Sequence, residues 1–258
     1  MVRGNGEEDE EIADPIAGIA SHPGSAGILL DFDGTLAPIV ARPELARIQP
    51  GAREAIESLA ARYAAVAVIS GRPSTELAHL VNVAGVALVG LYGLEAEGGE
   101  AATSLPESLL AEVESIARAQ PGAWVERKGP TATVHVREAD DPNAAEDLLF
   151  QPLVRLAGAE GFDVMRGKRA LELVPSGRPL KGAAVQGIVR DHGLTAVLYA
   201  GDDAADLPAF HALDALAASG VGCARVAVRG TETPAELIDA ADLVVEGPGE
   251  LVELLASL

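Results

Sequence analysis

The chain has 258 residues, and 48% of them are apolar, enough to bury a sizeable core in one large domain or two smaller ones. Its formal net charge of −20 disfavours nucleic acid and anionic membrane as partners. The single cysteine, Cys223, excludes an internal disulfide and a thiolate metal cluster.

Aromatic residues are only 3% of the chain, so the core must be built from Ala, Val and Leu. No run of 18 apolar residues suggests a membrane span, and the N-terminus lacks the basic-then-apolar start of a secretory signal. A soluble, cytoplasmic protein is expected. Glu7-Glu8-Asp9-Glu10-Glu11 is a self-repelling block, so residues 1–22 read as an acidic, disordered tail.

Ile28-Leu29-Leu30 then runs straight into Asp31-Phe32-Asp33-Gly34-Thr35, a buried parallel strand closed by a turn. In open α/β sheets the ligand crevice lies beyond the carboxyl ends of such strands, which puts Asp31 and Asp33 at the mouth of a site. A proline-bearing loop follows to residue 50. Ala52, Ala55, Ile56, Leu59, Ala60 and Tyr63 then fall on one helical stripe, and residues 64–69 form a second apolar strand ending in Ser70-Gly71-Arg72-Pro73. Strand, helix and strand at this spacing make a βαβ unit with parallel neighbours, so Ser70 falls at the same sheet end as Asp31. A helix over 74–81 and a third strand over 86–89 lead to Gly90-Leu91-Tyr92-Gly93-Leu94-Glu95, with Glu95 again near a strand end.

From about residue 98 the pattern changes. An amphipathic helix over 107–118 precedes two alternating strands. In the first, Glu126 and Lys128 share a face; in the second, Thr133, His135 and Arg137 share one face and Ala132, Val134 and Val136 the other. One apolar and one polar face mark an antiparallel sheet. A helix over 143–157 and strand material over 162–174 complete an α+β insert spanning 100–177. Buried-strand character returns after Lys181: a helix, the strand Val197-Leu198-Tyr199-Ala200-Gly201, then Asp202-Asp203 with Asp206 close behind. The core is therefore expected over 23–99 and 178–258, split by the insert.

Asp31, Asp33, Ser70, Lys181 and Asp202 should thus gather at one sheet edge. Carboxylates 4 Å apart repel by about 4 kcal/mol per pair at an effective dielectric of 20, so the cluster calls for a cation. With oxygen ligands and no Cys or His cluster, that cation is Mg²⁺, which accepts substrate phosphate as a further ligand. Carboxylate nucleophile, metal, lysine and hydroxyl make a phosphoryl-transfer site.

These four stretches, Asp31-Phe32-Asp33-Gly34-Thr35, Ser70, Lys181 and Gly201-Asp202-Asp203 with Asp206, resemble the motifs of the haloacid dehalogenase superfamily of phosphatases, in order and strand placement. The resemblance implies a Rossmann-like core with a cap. It implies Asp31 as nucleophile and Asp33 as acid and then base. It also implies Asp31, the Asp33 carbonyl and Asp202 as Mg²⁺ ligands, supported by Asp203 and Asp206. Thr35, Ser70, Gly71 and Lys181 are implied to bind phosphate. The insert narrows the family: Gly93-Leu94-Glu95, Glu126-Arg127-Lys128 with His135-Val136-Arg137, and Gly167-Lys168-Arg169-Ala170-Leu171-Glu172 resemble the trehalose-6-phosphate phosphatases. Glu95, Glu126, Lys128, His135, Arg137 and Glu172 are then implied sugar contacts. Ala205 and Leu207 depart from that family, which usually has threonine and glutamate there. The expected activity is Mg²⁺-dependent hydrolysis of trehalose 6-phosphate, in functional pairing with a trehalose-6-phosphate synthase and as a monomer. The alternatives are a phosphatase for sucrose phosphate or a glycosyl or mannosyl phosphoglycerate, a sugar-phosphate mutase, and a non-catalytic binding partner. The intact pair Asp31 and Asp33 argues against the last.

Overall fold

The computed structural model describes residues 15–95, 104–177 and 181–258. Helix α1 (Pro15–Ser21) opens the described chain and strand β1 (Ala26–Leu30) follows it. Then come α2 (Ala52–Ala60), β2 (Ala65–Ile69), α3 (Ser74–Val81) and β3 (Ala87–Val89). The insert holds α4 (Glu107–Arg118), β4 (Trp124–Arg127), β5 (Ala132–His135), α5 (Pro142–Ala159), β6 (Phe162–Gly167) and β7 (Ala170–Pro175). The chain ends with α6 (Lys181–Asp191), β8 (Ala196–Gly201), α7 (Leu207–Ala218), β9 (Gly222–Arg229), α8 (Ala235–Asp239), β10 (Leu243–Glu246) and α9 (Gly247–Ser257).

Six strands form one parallel sheet in the order β10-β9-β8-β1-β2-β3. Strand β1 is wholly buried and its side chains alternate between two apolar layers. Ile28 and Leu30 join the layer of α2 and α9, while Leu29 joins that of α6 and α7. The order reverses at β1, with β2 on one side and β8 on the other. This switch point opens the crevice beyond the strand ends, where Asp31, Ser70 and Asp202 each directly follow one of three adjacent strands.

The insert is a four-stranded antiparallel sheet, β4-β5-β7-β6, with its own core against α4 and α5. Ala132, Val134, Val136, Leu171 and Leu173 face that core. Its other face carries a cross-strand row, Glu126–Thr133–Glu172, which looks onto the strand ends of the large sheet. The expected boundaries of the insert fall in or beside stretches outside the described residues, as does the acidic block at 7–11.

The tail expectation needs correction over 15–21. These residues form α1, which packs on β8 and β9 with Ile19 in the core. The last carboxylate before the helix is Asp14, and the apolar spacing of Ile16 and Ile19 then suffices to dock a short helix. No helix among the described residues is long and apolar enough to cross a membrane.

Candidate active site

Asp31 leaves β1 with its amide bonded to the carbonyl of Ala200 on β8, which fixes its carboxylate between two strand ends. Lys181, the first residue of α6, places Nζ 2.6 Å from Asp31 Oδ1 and 2.6 Å from Asp206 Oδ1. All three side chains are buried. Burial pushes the Asp31 carboxyl up to about 6, although Lys181 works the other way. Burial opposes the charge of Lys181 as well, but Asp206 and Asp31 raise it well above the ordinary lysine range.

Asp206 holds a different kind of position. Its Oδ1 accepts from Lys181 and from the Tyr199 hydroxyl at 2.6 Å, and its Oδ2 accepts from the amides of Asp202 and Asp203 at 2.9 Å. Burial disfavours its charge, yet Lys181 and these hydrogen bonds bring its pKa below the usual carboxylate range. Asp202 lacks such support. Burial raises it well above the ordinary value, against the pull of Lys168, with Asp31 and Asp206 adding to the rise. Asp203 lines the cleft, caps the turn that follows, and is also raised by burial.

Oxygen atoms of Asp31, Asp202 and Asp206 lie within 4.8 Å of one another. Lys168, from the β6–β7 turn, donates to the carbonyl of Asp33 at 2.5 Å and contacts the Asp202 carboxylate. A cation therefore already sits against the hard oxygen donors, and the donor set suits a divalent cation of that preference. Gly34, at φ 90°, is required here, because a Cβ would overlap the Asp202 carboxylate.

Ser70 and Gly71 line the same cleft, with the Ser70 side chain buried. Thr35 does not line it. Its buried hydroxyl donates to Asp202 Oδ1 at 3.1 Å, so it orients a carboxylate rather than standing where a phosphate could reach it.

On the facing sheet, Glu126 Oε2 lies 2.8 Å from His135 Nε2, and Lys128 Nζ lies 3.3 Å from both Glu172 Oε1 and the carbonyl of Gly71. These four side chains and Arg137 line the cleft. Glu95 does not. It is exposed and accepts from the amide of Ser74 at 2.6 Å, at the N-terminus of α3. A carboxylate after a strand is as well suited to a helix N-terminus as to a ligand.

Three site residues escaped sequence reasoning. Arg72 grips both oxygens of Asp33, at 2.7 and 2.8 Å, and also contacts Glu76. Tyr92, in a short turn over Leu91–Gly93, reaches up from the core and donates its hydroxyl to Glu172. Lys168 was legible only as part of the Gly167-Lys168-Arg169 stretch, with no role attached to it. The signal for Arg72 was its place directly after Ser70-Gly71; for Tyr92 it was the pair of glycines that bracket its turn.

With this geometry in view, the profile of the trehalose-phosphatase family matches residues 29–240, a span that holds every side chain of the site. The chain belongs to that family. A trehalose-phosphate phosphatase of Mycolicibacterium paratuberculosis is 33% identical over 78% of this chain and 53% of its own length. An uncharacterized glycosyl hydrolase of Mycobacterium tuberculosis is 34% identical over 90% of this chain but only 18% of its own. The chain thus spans about half the length, or less, of these relatives. The C-terminal domain of a trehalose-6-phosphate phosphatase of C. albicans superposes with a TM-score of 0.80 at 22% identity, covering 94% of each chain. The fold of this trehalose-phosphatase family member is thereby a haloacid dehalogenase-type core with an inserted α/β cap.

Proposed function

We propose that the chain hydrolyses trehalose 6-phosphate to trehalose and inorganic phosphate through a phosphorylated Asp31, with Mg²⁺ as its metal. The observation that carries the reading is the placement of Asp31. It is paired to Lys181 and neighboured by Asp202, at a switch point that the polar face of the cap overlooks. The family membership supports the same chemistry.

Asp31 attacks phosphorus in line, and the ester P–O bond breaks. Asp33 gives its proton to the departing sugar alkoxide, then takes one from the water that attacks the aspartyl phosphate and releases phosphate. Lys181 holds Asp31 and, with Ser70 and the Gly71 backbone, receives the phosphoryl oxygens. Asp31, the Asp33 carbonyl and Asp202 would hold Mg²⁺, which supplies charge neutralisation between nucleophile and phosphate. Thr35 and Asp206 position these groups from behind. Arg72 occupies both oxygens of Asp33, so Asp33 must turn from it to reach a leaving group.

The cap face suits a sugar. Glu126, Lys128, His135 and Glu172 converge from a rigid sheet. The substrate would be supplied by a trehalose-6-phosphate synthase.

Phosphate release over a panel of disaccharide and hexose phosphates, with and without Mg²⁺, tests the reading. Trehalose 6-phosphate should turn over best and only with metal, and Asp31→Asn should lower the rate by at least about a thousandfold while leaving the fold intact. Preferential release from sucrose or mannosyl phosphates would move the substrate. Full activity of Asp31→Asn would remove the mechanism.

A further inference from the structure

The β6–β7 turn is built to deliver one side chain. Its two residues, Lys168 and Arg169, join paired Gly167 and Ala170, and Arg169 is held at φ 57°, a conformation that L residues adopt at a cost. Both peptide oxygens of the turn are tied down from the end of β5. Arg137 Nη2 donates to the carbonyl of Lys168 at 2.9 Å, and the amide of Val136 donates to that of Arg169 at 2.9 Å. Glu232, on the core loop after β9, then binds Arg137 at 3.0 and 2.8 Å and Arg169 at 3.3 Å. The tip of the cap is thereby fastened to the core, and Lys168 is driven down onto the Asp33 carbonyl and the Asp202 carboxylate.

Those two groups are also two of the three oxygens assigned above to the metal. An ammonium and a divalent ion cannot share one oxygen cage, for reasons of both space and charge. We infer that Lys168 and the divalent metal compete for a single cation position, so that metal loading and full cap closure oppose each other until a phosphate group offers Lys168 another anion. The inference rests on the metal site proposed above. Lys168 is in this sense a positioning residue. It stands in for the metal in the closed cap, and it moves to the phosphoryl oxygens when metal and phosphate are both bound. The coupling is reciprocal: whatever loosens the cap must tighten the metal, and the metal must loosen the cap.

The experiment measures Mn²⁺ binding by electron paramagnetic resonance, and the radius of gyration by X-ray scattering, on the full chain without substrate. Lys168→Met should bind Mn²⁺ roughly tenfold more tightly, within the range of ordinary couplings. Since that substitution also removes a nearby positive charge, Glu232→Gln is the sharper variant. It removes a negative charge, which by plain electrostatics would weaken cation binding, whereas release of the cap predicts tighter binding. Mn²⁺ should enlarge the radius of gyration of the unsubstituted protein, and inorganic phosphate added with it should reverse the change. In Lys168→Met the metal should leave the radius unchanged.

Equal or weaker Mn²⁺ binding by Glu232→Gln, or a radius indifferent to metal in the unsubstituted protein, overturns the competition while leaving the metal site standing. Absence of Mn²⁺ binding in every variant overturns both.

Discussion

Asp202 and Asp206 stand one turn apart, yet the protein treats their charges in opposite ways. Asp206 has four hydrogen-bond donors, one of them an ammonium, and its ionised form is favoured by the fold. Asp202 has Thr35 and a lysine borrowed from the cap, and burial disfavours its charge. Substituting one member of a buried ion pair leaves the other uncompensated, at a cost of roughly 3–5 kcal/mol. Asp206→Asn should therefore lower stability by about that amount in urea unfolding, with or without metal. Asp202→Asn should cost less in the absence of metal, because burial already disfavours its charge against the pull of Lys168, but it should abolish the stabilisation that a divalent metal brings. If the two substitutions unfold alike, the division of labour between a structural and a ligating carboxylate is wrong.

At the scale of elements, the turn over Leu91–Gly93 links the two halves of the cleft. Leu91 and Tyr92 both lie at positive φ, 47° and 58°, and their amides bond to the carbonyls of Arg72 and Ser70. The turn is thus clamped to the loop after β2, and Tyr92 is held upright to meet Glu172. Hydrogen bonds to charged groups contribute about 1.5–3 kcal/mol, so Tyr92→Phe should raise KM for the proposed sugar-phosphate substrate roughly tenfold. Turnover of a compact aryl phosphate that never touches Glu172 should stay unchanged; an equal loss on both would make Tyr92 merely structural. This link was not legible in the sequence, because it joins residues 92 and 172 across two sheets and depends on a strained backbone. By contrast, β1, β2 and β8 announced themselves by uninterrupted apolar runs, and their ends by Asp31, Ser70 and Asp202. The alternation of β5 disclosed which face of the cap is polar. Strand β9 spans Gly222–Arg229 although Cys223 and Arg225 interrupt its apolar run, so its full length does not show in the sequence. Arg225 is tolerated there because Asp214 and Asp242 bind it. Glu95 and Thr35 show the complementary failure. A motif gives a residue's place along the chain, but its hydrogen-bond partner decides whether it faces the ligand or supports a neighbour.

For the whole molecule, these buried carboxylates couple stability to pH and to metal. Asp31 moves from 3.8 to about 6 on folding, and Asp202 and Asp203 move in the same direction. A carboxyl whose pKa is raised binds its proton more tightly in the folded state, so stability falls as pH rises through that window. Asp31 alone accounts for about 3 kcal/mol between pH 4 and 6, from the size of its shift. Asp206 has the opposite sign, but its pKa is lowered, so its contribution is lost only as pH falls below the ordinary carboxylate range. Between pH 4 and 7 the metal-free protein should therefore lose stability as pH rises, unlike a protein whose carboxylates are mostly satisfied by donors. A divalent metal binds only the ionised cluster and must displace the protons first. Its stabilising increment should accordingly be small at pH 4.5 and grow steadily to pH 7. Thermal unfolding midpoints with and without Mg²⁺ across that range measure both slopes. A metal increment that is flat with pH would mean that Asp31 and Asp202 are already ionised in the free protein, and that Lys168 and Lys181 neutralise the cluster by themselves.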